Sequence, residues 1–317
     1  MNKLATISAL LMLAITTIVS AQQDPQFSYN MYNQLYVNPG YAGSNEAICL
    51  TAINRHQWMG FDGYPLSTVF NVDAPLKMIN SGVGLSVLND RIGNEKNVTI
   101  KAAYAYRFDL GDGKLGVGLN LGLLNKSYNV DKWITPSDLA GSGTGTSDPS
   151  IPATNASHMV FDMAFGAFYR TNDLYVGLSS THLTQPKMSF DVTNSTFLKR
   201  HYYLSAGYFY QLPNNPLFEI RPSIYIKSDG STSQFDVNAS VIYNKMIWGG
   251  VSYRPGDAII GMLGIELKNG IKVGYAFDIV TSKIGSYNRL SHEFMAGYCF
   301  NISVDKKRGS YKSVRFL

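Results

Sequence analysis

The feature that most constrains this chain is an alternation of apolar and polar residues that recurs along most of its length. It is clearest in residues 98–108 and 271–279, and it returns in residues 218–227 and 233–243. Because successive side chains of a β-strand point to opposite faces, each segment predicts a strand with one apolar and one polar face. Repeated strands of this kind are typical of a membrane barrel with an apolar exterior and a polar interior.

A water-soluble sandwich or lipocalin-like barrel would show the same alternation, with the apolar face in a core. The composition favours lipid instead. Charged residues make up 15% of the chain, against roughly 25% in an average soluble domain. Tyrosine and phenylalanine cluster near predicted strand ends, for example at residues 104–108 and 202–210. Such rings suit the headgroup level of a bilayer.

The first 21 residues have the features of a secretory signal peptide. A short basic start at residues 1–3 precedes an apolar run at 4–19, and Val19–Ser20–Ala21 is a small-residue cleavage site. No Cys follows that site, so no lipid anchor is expected. No later apolar stretch approaches the ~20 residues of a spanning helix, which leaves a β-barrel as the way to cross a membrane. The predicted location is the bacterial outer membrane.

Alternation and turn residues together predict an all-β fold, a transmembrane antiparallel barrel of about fourteen strands. An even number is usual for bacterial single-chain barrels. The predicted strands are 47–57, 66–74, 82–89, 97–109, 114–125, 158–170, 173–180, 200–211, 218–227, 233–244, 246–254, 257–268, 270–280 and 290–300. Closure requires the last strand to pair with the first.

The connections suggest how the barrel is oriented. Tight turns such as Gly111–Asp112–Gly113 and Asn244–Lys245 follow the even-numbered strands, and the long segments 126–157 and 181–199 follow odd-numbered ones. With both termini in the periplasm, the long segments face outward. The barrel then covers residues 47–300. Residues 22–46 precede it as a plug, a cap or a periplasmic segment, and residues 301–317 form a basic periplasmic tail.

The basic tail carries five Lys or Arg residues against one Asp. It is either a solvated chain end or a docking element for an acidic periplasmic partner.

No motif indicates enzymatic chemistry, a cofactor or a metal. The five histidines lack metal-type spacing and no cysteine pair assists them. The Gly/Ser/Thr run at 141–147 lacks the Gly-Lys-Ser/Thr ending of a phosphate loop. His182 and His292 are near the expected outer rim, where a hydrolase would need a histidine partner, but nothing local marks either as activated. The chain is predicted not to be an enzyme.

The expected lumenal face carries charges of both signs. A porin selective for one ion sign would favour one of them, so the mixture indicates either a cross-lumen network that braces a closed barrel or scattered side chains in a water-filled bore. The basic members are Lys101, Arg107, Arg221, Lys227, Arg254 and Lys272, and the acidic ones are Glu219, Asp236, Glu266, Asp278 and Glu293.

The two cysteines, Cys49 and Cys299, fall on the first and last predicted strands and point into the lumen. Closure makes these strands neighbours, and the export compartment permits a disulfide. Strand shear can also displace the two residues along the seam, so two separately packed thiols remain the alternative.

Several motifs together resemble the PorP/SprF family, outer-membrane proteins of the type IX secretion and gliding-motility apparatus of Bacteroidetes. Their order matches from end to end. The motifs are Asp24–Pro25–Gln26–Phe27, Asn38–Pro39–Gly40–Tyr41–Ala42–Gly43, Arg55–His56–Gln57–Trp58, Asp73–Ala74–Pro75, Gly177–Leu178–Ser179 with His182–Leu183, Gly274–Tyr275–Ala276–Phe277–Asp278 and Ser291–His292–Glu293. Asn38–Pro39–Gly40 and the strand count are also distantly similar to the fatty-acid-transporter type of barrel.

The PorP/SprF resemblance implies a non-enzymatic role in secreting or anchoring an adhesin-like cell-surface protein through its C-terminal secretion domain. It also implies a link to periplasmic secretion-ring components, with the lipid bilayer as surroundings and no nucleic-acid partner. The distant similarity implies the alternative, a channel for small hydrophobic solutes. Candidate partner-binding residues within the matched motifs are Asp24, Pro25, Phe27, Asn38, Pro39, Trp58 and His182.

Overall fold

A computed structural model of the protein describes residues 24–60, 62–129, 155–190, 196–287 and 290–301. Fourteen strands form the wall. They are β1 (Ile48–His56), β2 (Leu66–Leu76), β3 (Ser81–Ile92), β4 (Glu95–Leu110), β5 (Gly113–Tyr128), β6 (Ala156–Arg170), β7 (Leu174–Thr181), β8 (His201–Tyr208, extended by Tyr210–Gln211), β9 (Phe218–Ser228), β10 (Ser233–Tyr243), β11 (Ile247–Arg254), β12 (Ala258–Glu266), β13 (Ile271–Val280) and β14 (Leu290–Phe300).

Each strand pairs antiparallel with its neighbours in sequence, and the sheet closes on itself. Strand β14 pairs with β1 in a register that runs from Ile48 opposite Phe300 to His56 opposite His292. The closed fourteen-strand antiparallel barrel predicted from the sequence is therefore confirmed. The predicted strand limits differ from the observed ones by up to three residues, because the alternation continues a little way into the rims.

The period-two pattern sorts side chains between lipid and lumen as predicted. On β4, Lys101 is 3% exposed whereas Tyr104 is 48% exposed. On β13, Asp278 is 1% exposed and Ile279 is 45% exposed. The outer face therefore presents an apolar band, and the polar side chains of the same strands are buried inside the barrel.

The two ends of the barrel differ in their connections. We call the end where β1 begins and β14 ends the turn end. It carries compact connections such as Asn244–Lys245, where both residues have positive φ (52° and 54°), as a tight hairpin turn requires. We call the opposite end the loop end. It carries the connections 57–65, 182–200 and 281–289, and the one between β5 and β6.

Two cysteines join the closing strands at the turn end. Cys49 of β1 lies directly opposite Cys299 of β14, with their Cα atoms 4.2 Å apart, and a disulfide links them. This selects the bonded arrangement over two separately packed thiols. The register places the two residues in the same row of the sheet, so no shear separates them.

The β7–β8 connection contains a short hairpin that the sequence did not predict. Lys187–Met188 pairs with Thr196–Phe197. Met188 and Phe190 are buried against Leu124 and Val160 on inward-facing positions of the wall. Two apolar side chains therefore hold part of a largely polar connection in the mouth of the barrel.

Helical structure in the described residues is limited to short turns: Asn30–Tyr32, Gln34–Val37, Pro39–Tyr41, Lys77–Ile79 and Lys283–Ser286. None of these is long and apolar enough to cross a membrane. The predicted signal peptide at 1–21, the Gly/Ser/Thr run at 141–147 and almost all of the basic tail at 301–317 lie outside the described residues.

Candidate functional site

Residues 24–46, which we call the lumenal segment, are packed against inward-facing wall residues from one end of the barrel to the other. At the loop end, the Lys227 ammonium donates to the backbone carbonyl of Asp24 at 3.0 Å. At the turn end, Glu46 forms an ion pair of 2.6 Å with Arg107. Between these points the segment is almost entirely buried.

A group of five buried charges, which we call the charge cluster, lies on one side of the wall. Its members are Arg55, Asp236, Arg254, Asp278 and Glu293, and each is at most 2% exposed. Arg55 lies 2.6 Å from Asp278 and 2.9 Å from Glu293. Arg254 binds both carboxylate oxygens of Asp236 at 2.8 and 2.9 Å. These residues come from β1, β10, β11, β13 and β14, so the cluster runs around the wall and does not cross the lumen.

The lumenal segment supplies the remaining hydrogen bonds of this cluster. The backbone N–H groups of Ser28 and Tyr29 each donate to Glu293 at 2.8 Å. The Ser28 hydroxyl donates to Asp278 at 2.8 Å. The side-chain amides of Gln26 and Asn30 both donate to Asp236 at 3.0 Å. A buried charge is tolerated only when it is paired and hydrogen-bonded, so the segment and the cluster stabilise each other.

The other predicted lumenal charges also have partners, although not all of these partners are ions. Lys101 lies 3.9 Å from the centre of the Tyr36 ring, a cation–π contact, and Lys272 pairs with Glu266 at 3.1 Å. Arg221 pairs with Glu219. The lumenal charges therefore form pairs and not a scatter of separate side chains, but the largest group runs along the wall, so the expectation of a network that crosses the lumen is wrong.

On the opposite side, the segment lies directly against the backbone of β5 and β6. The Asn38 side-chain amide donates to the carbonyl of Ala167 at 3.0 Å. A Cβ atom at Gly118 would come within 2.6 Å of the Pro39 carbonyl carbon. Only glycine leaves room for such a close approach between two backbones. Gly118 therefore forms part of the wall surface that Asn38–Pro39–Gly40 contacts.

The turn end fixes the last residues of the segment. The N–H of Gly43 donates to Asp73 at 2.9 Å. Burial by itself would raise the pKa of Glu46, but its hydrogen bonds and ion pairs with Arg107 and Lys114 lower the pKa below its usual value. A cavity of about 160 Å³ lies beside this part of the segment, lined in part by Tyr32 and Trp248.

The loop end fixes the first described residues. His182 is held between two carboxylates, with Nε2 2.9 Å from Asp24 and Nδ1 2.7 Å from Asp162. The Tyr203 hydroxyl donates to the second oxygen of Asp24 at 2.6 Å. Burial by itself would lower the pKa of His182, but the two carboxylates raise this pKa to about 9. Burial by itself would raise the pKa of Asp24. His182 and the other cationic neighbours of Asp24 outweigh this effect and hold the pKa of Asp24 well below its usual value.

The structure divides the seven candidate partner-binding residues into two groups. Asp24, Pro25, Trp58 and His182 line one cavity of about 600 Å³ at the loop end. Phe27, Asn38 and Pro39 are buried within the barrel and hold the lumenal segment against the wall. Arg55 appeared in a family motif but was missing from the expected lumenal charges, although its place on β1 makes it inward-facing. The sequence did not connect Asp162 or His201 with this site.

A closed barrel with an apolar outer band and a polar interior defines this chain as an outer-membrane β-barrel protein. Residues 19–298 match the family model described as "Type IX secretion system membrane protein PorP/SprF". The chain belongs to this family, as its motifs suggested.

No curated protein sequence matches the chain significantly. Solved structures similar to it include the Acinetobacter baumannii outer membrane protein Omp33, with 8% identity, 80% of this chain and 98% of that chain covered, and a TM-score of 0.46. The CymD monoaromatic hydrocarbon channel has 11% identity, coverage of 85% and 93%, and a TM-score of 0.48. The Pseudomonas putida (P. putida) toluene transporter TodX has 10% identity, coverage of 81% and 90%, and a TM-score of 0.43.

Proposed function

We propose that this protein is a non-enzymatic barrel of the type IX secretion and gliding apparatus whose lumen is plugged by residues 24–46. In this role it helps to secrete or anchor an adhesin-like surface protein and does not conduct solutes. The observation that carries the proposal is the continuous series of buried contacts between the lumenal segment and the wall, from Asp24 at the loop end to Glu46 at the turn end.

Displacing the segment would be costly. It would remove the hydrogen bonds that Asp236, Asp278 and Glu293 receive from residues 26–30. These carboxylates would keep their arginine partners, but a hydrogen bond to a charged group contributes about 1.5–3 kcal/mol, and several such bonds would be lost together. A segment held in this way is better suited to be a permanent plug than a gate that opens for each passing molecule.

With the lumen closed, recognition falls to the two ends of the barrel. The loop end offers the connections after β1, β5, β7 and β13, and loops on a rigid scaffold are common binding surfaces. In this proposal these connections bind the secreted surface protein through its C-terminal secretion domain. The turn end, where Arg107, Lys114 and Arg170 lie near the rim, faces the periplasmic secretion-ring components.

Planar-bilayer recording separates this proposal from the solute-channel alternative. The full-length chain, shown by co-flotation to be inserted in the vesicles used for fusion, should give no conductance steps and should take up no hydrophobic solute. Steady conductance or ligand uptake by the inserted protein would establish a channel and overturn the plug.

Affinity purification from the native membrane tests the anchoring role. The tagged protein should copurify with a large cell-surface protein. A variant that lacks residues 130–154, between β5 and β6, but still folds should lose that partner, whereas a variant without residues 302–317 should keep it. Retention of the partner by the loop variant, together with normal surface display, would contradict the assignment of the loop end.

A further inference from the structure

The loop-end cavity contains a compact group of side chains that the secretion role does not explain. Asp24, His182 and His201 each offer one ligand atom, and these three atoms lie within 4.8 Å of one another. They come from the lumenal segment, the β7–β8 connection and the first position of β8. We propose that Asp24, His182 and His201 bind a divalent transition-metal cation, with Zn²⁺ as the best match to two imidazoles and one carboxylate.

The position of His201 distinguishes this arrangement from a simple ion pair between His182 and a carboxylate. His201 is 2% exposed, and among the described contacts its Nε2 atom has no hydrogen-bond partner. A protonated His182 between two carboxylates would explain the contacts of Asp24 and Asp162 but would leave this buried nitrogen unsatisfied. A bound cation would satisfy it, since buried polar atoms in native proteins nearly always have a partner.

The groups behind the three ligands have the arrangement expected around a metal. The Nδ1 atom of His182 lies 2.7 Å from Asp162, and Nδ1 of His201 lies 2.9 Å from the carbonyl oxygen of Lys199. Metal-binding histidines almost always engage a carboxylate or a backbone carbonyl through their other ring nitrogen. Both histidines here do so, which leaves both Nε2 atoms for the cation.

Charge and access agree with this assignment. Among the described ion pairs, neither Asp24 nor Asp162 has a Lys or Arg partner, so a cation would balance two buried carboxylates. Lys227 is directed to the backbone carbonyl of Asp24. The group lines the cavity of about 600 Å³ at the loop end, which gives an ion a path of entry and leaves a fourth position for water.

The site would connect the first described residue of the lumenal segment to β7 and β8. Zn²⁺ would then act as a clasp at the loop end, in addition to the charge cluster deeper in the barrel. This inference does not depend on the secretion role, since it concerns only whether these three residues bind a cation.

Zn²⁺ titration of the purified full-length barrel, after treatment with a chelator, tests the proposal. The wild-type protein should bind one Zn²⁺ per chain. Asp24→Asn and His201→Gln should each weaken binding by at least about tenfold. Asp162→Asn, which alters the hydrogen bond that orients His182, should weaken it by about 10–100-fold. His158→Gln is the matched control, because His158 contacts Phe190 and is not a member of the group. Circular dichroism confirms that each variant is folded.

Two further results complete the test. Co²⁺ in place of Zn²⁺ should give the visible absorption of a four-coordinate site in the wild type but not in His201→Gln. Added Zn²⁺ should slow chymotrypsin cleavage of residues 24–46 in the wild type but not in Asp24→Asn. Absence of saturable Zn²⁺ binding, or equal affinity in the wild type and in folded Asp24→Asn and His201→Gln, would overturn the proposal.

Discussion

At the scale of single residues, the lumen is organised by charges that are far from water. Arg55 is fully buried and binds Asp278 and Glu293 at once. Such pairs contribute little net stability compared with apolar packing, but the loss of one partner is costly because it leaves the others unpaired in a medium of low dielectric constant. Lys114 provides a contrast. It pairs with Glu46 at 3.1 Å while both side chains are more than 40% exposed, where ion pairs are weak.

This difference predicts the effect of removing each cation. Arg55→Met should lower the free energy of unfolding by about 3–5 kcal/mol, since Glu293 loses its arginine partner and Asp278 loses the nearer of its two. Lys114→Met should lower it by at most about 1 kcal/mol. Urea titration of the barrel refolded in lipid vesicles measures both values. Equal losses for the two variants would show that the charge cluster is not the buried network described above.

At the scale of elements, the wall could be predicted from the sequence, but the contacts of the lumenal segment could not. A strand such as β4 carries its own signal, because lipid outside and polar groups inside impose period two on residues 95–110. The lumenal segment shows no regular alternation of apolar and polar residues. Its positions follow from single contacts with distant residues, such as Ser28 with Asp278, 250 positions away. The candidate metal ligands could not be predicted for the same reason. Asp24, His182 and His201 come from different parts of the chain, so they show no metal-binding motif with a fixed sequence spacing.

The fit between wall and segment can be tested with one methyl group. A Cβ atom at Gly82 would lie 2.0 Å from the carbonyl oxygen of Ala42. Gly82→Ala should therefore weaken the docking of residues 42–43 by about 1–3 kcal/mol. This corresponds to roughly a 5- to 150-fold rise in the population of the detached segment. Chymotrypsin cleavage within 24–46 of the folded protein should accelerate accordingly.

Gly249→Ala is the matched control for this experiment. It makes the same change on a wall strand, where the nearest atom to the added Cβ is 3.7 Å away, an ordinary contact. Its cleavage rate should equal that of the wild type. If Gly82→Ala were also cleaved at the wild-type rate, the close approach between β3 and the segment would not contribute to its retention.

At the scale of the whole molecule, Asp24 and Phe300, near the two ends of the described chain, lie at opposite ends of the barrel. This disagrees with the expectation that both termini lie in the periplasm. Asp24 lies at the loop end, and the chain then runs through the lumen to the turn end, where β1 begins. The covalent bond between Cys49 and Cys299 closes the wall at that same end. The two ends thus differ in structure: one holds the disulfide and compact turns, and the other holds the cavity, the candidate metal ligands and the longest connections.

The final prediction concerns which end faces the cell exterior, and it rests on long connections of outer-membrane barrels being extracellular. An epitope inserted at Gly230, in the exposed loop-end turn after β9 where φ is +82° and no atom lies near a Cβ position, should be labelled by antibody on intact cells. The matched insertion at Asn172, in the turn after β6 at the other end, should be labelled only after the outer membrane is permeabilised. Both insertion points lie in short, exposed turns, where insertions are commonly tolerated. The opposite labelling pattern would place the cavity and its Asp24, His182 and His201 group in the periplasm and would exclude the loop end as the surface that holds a secreted protein.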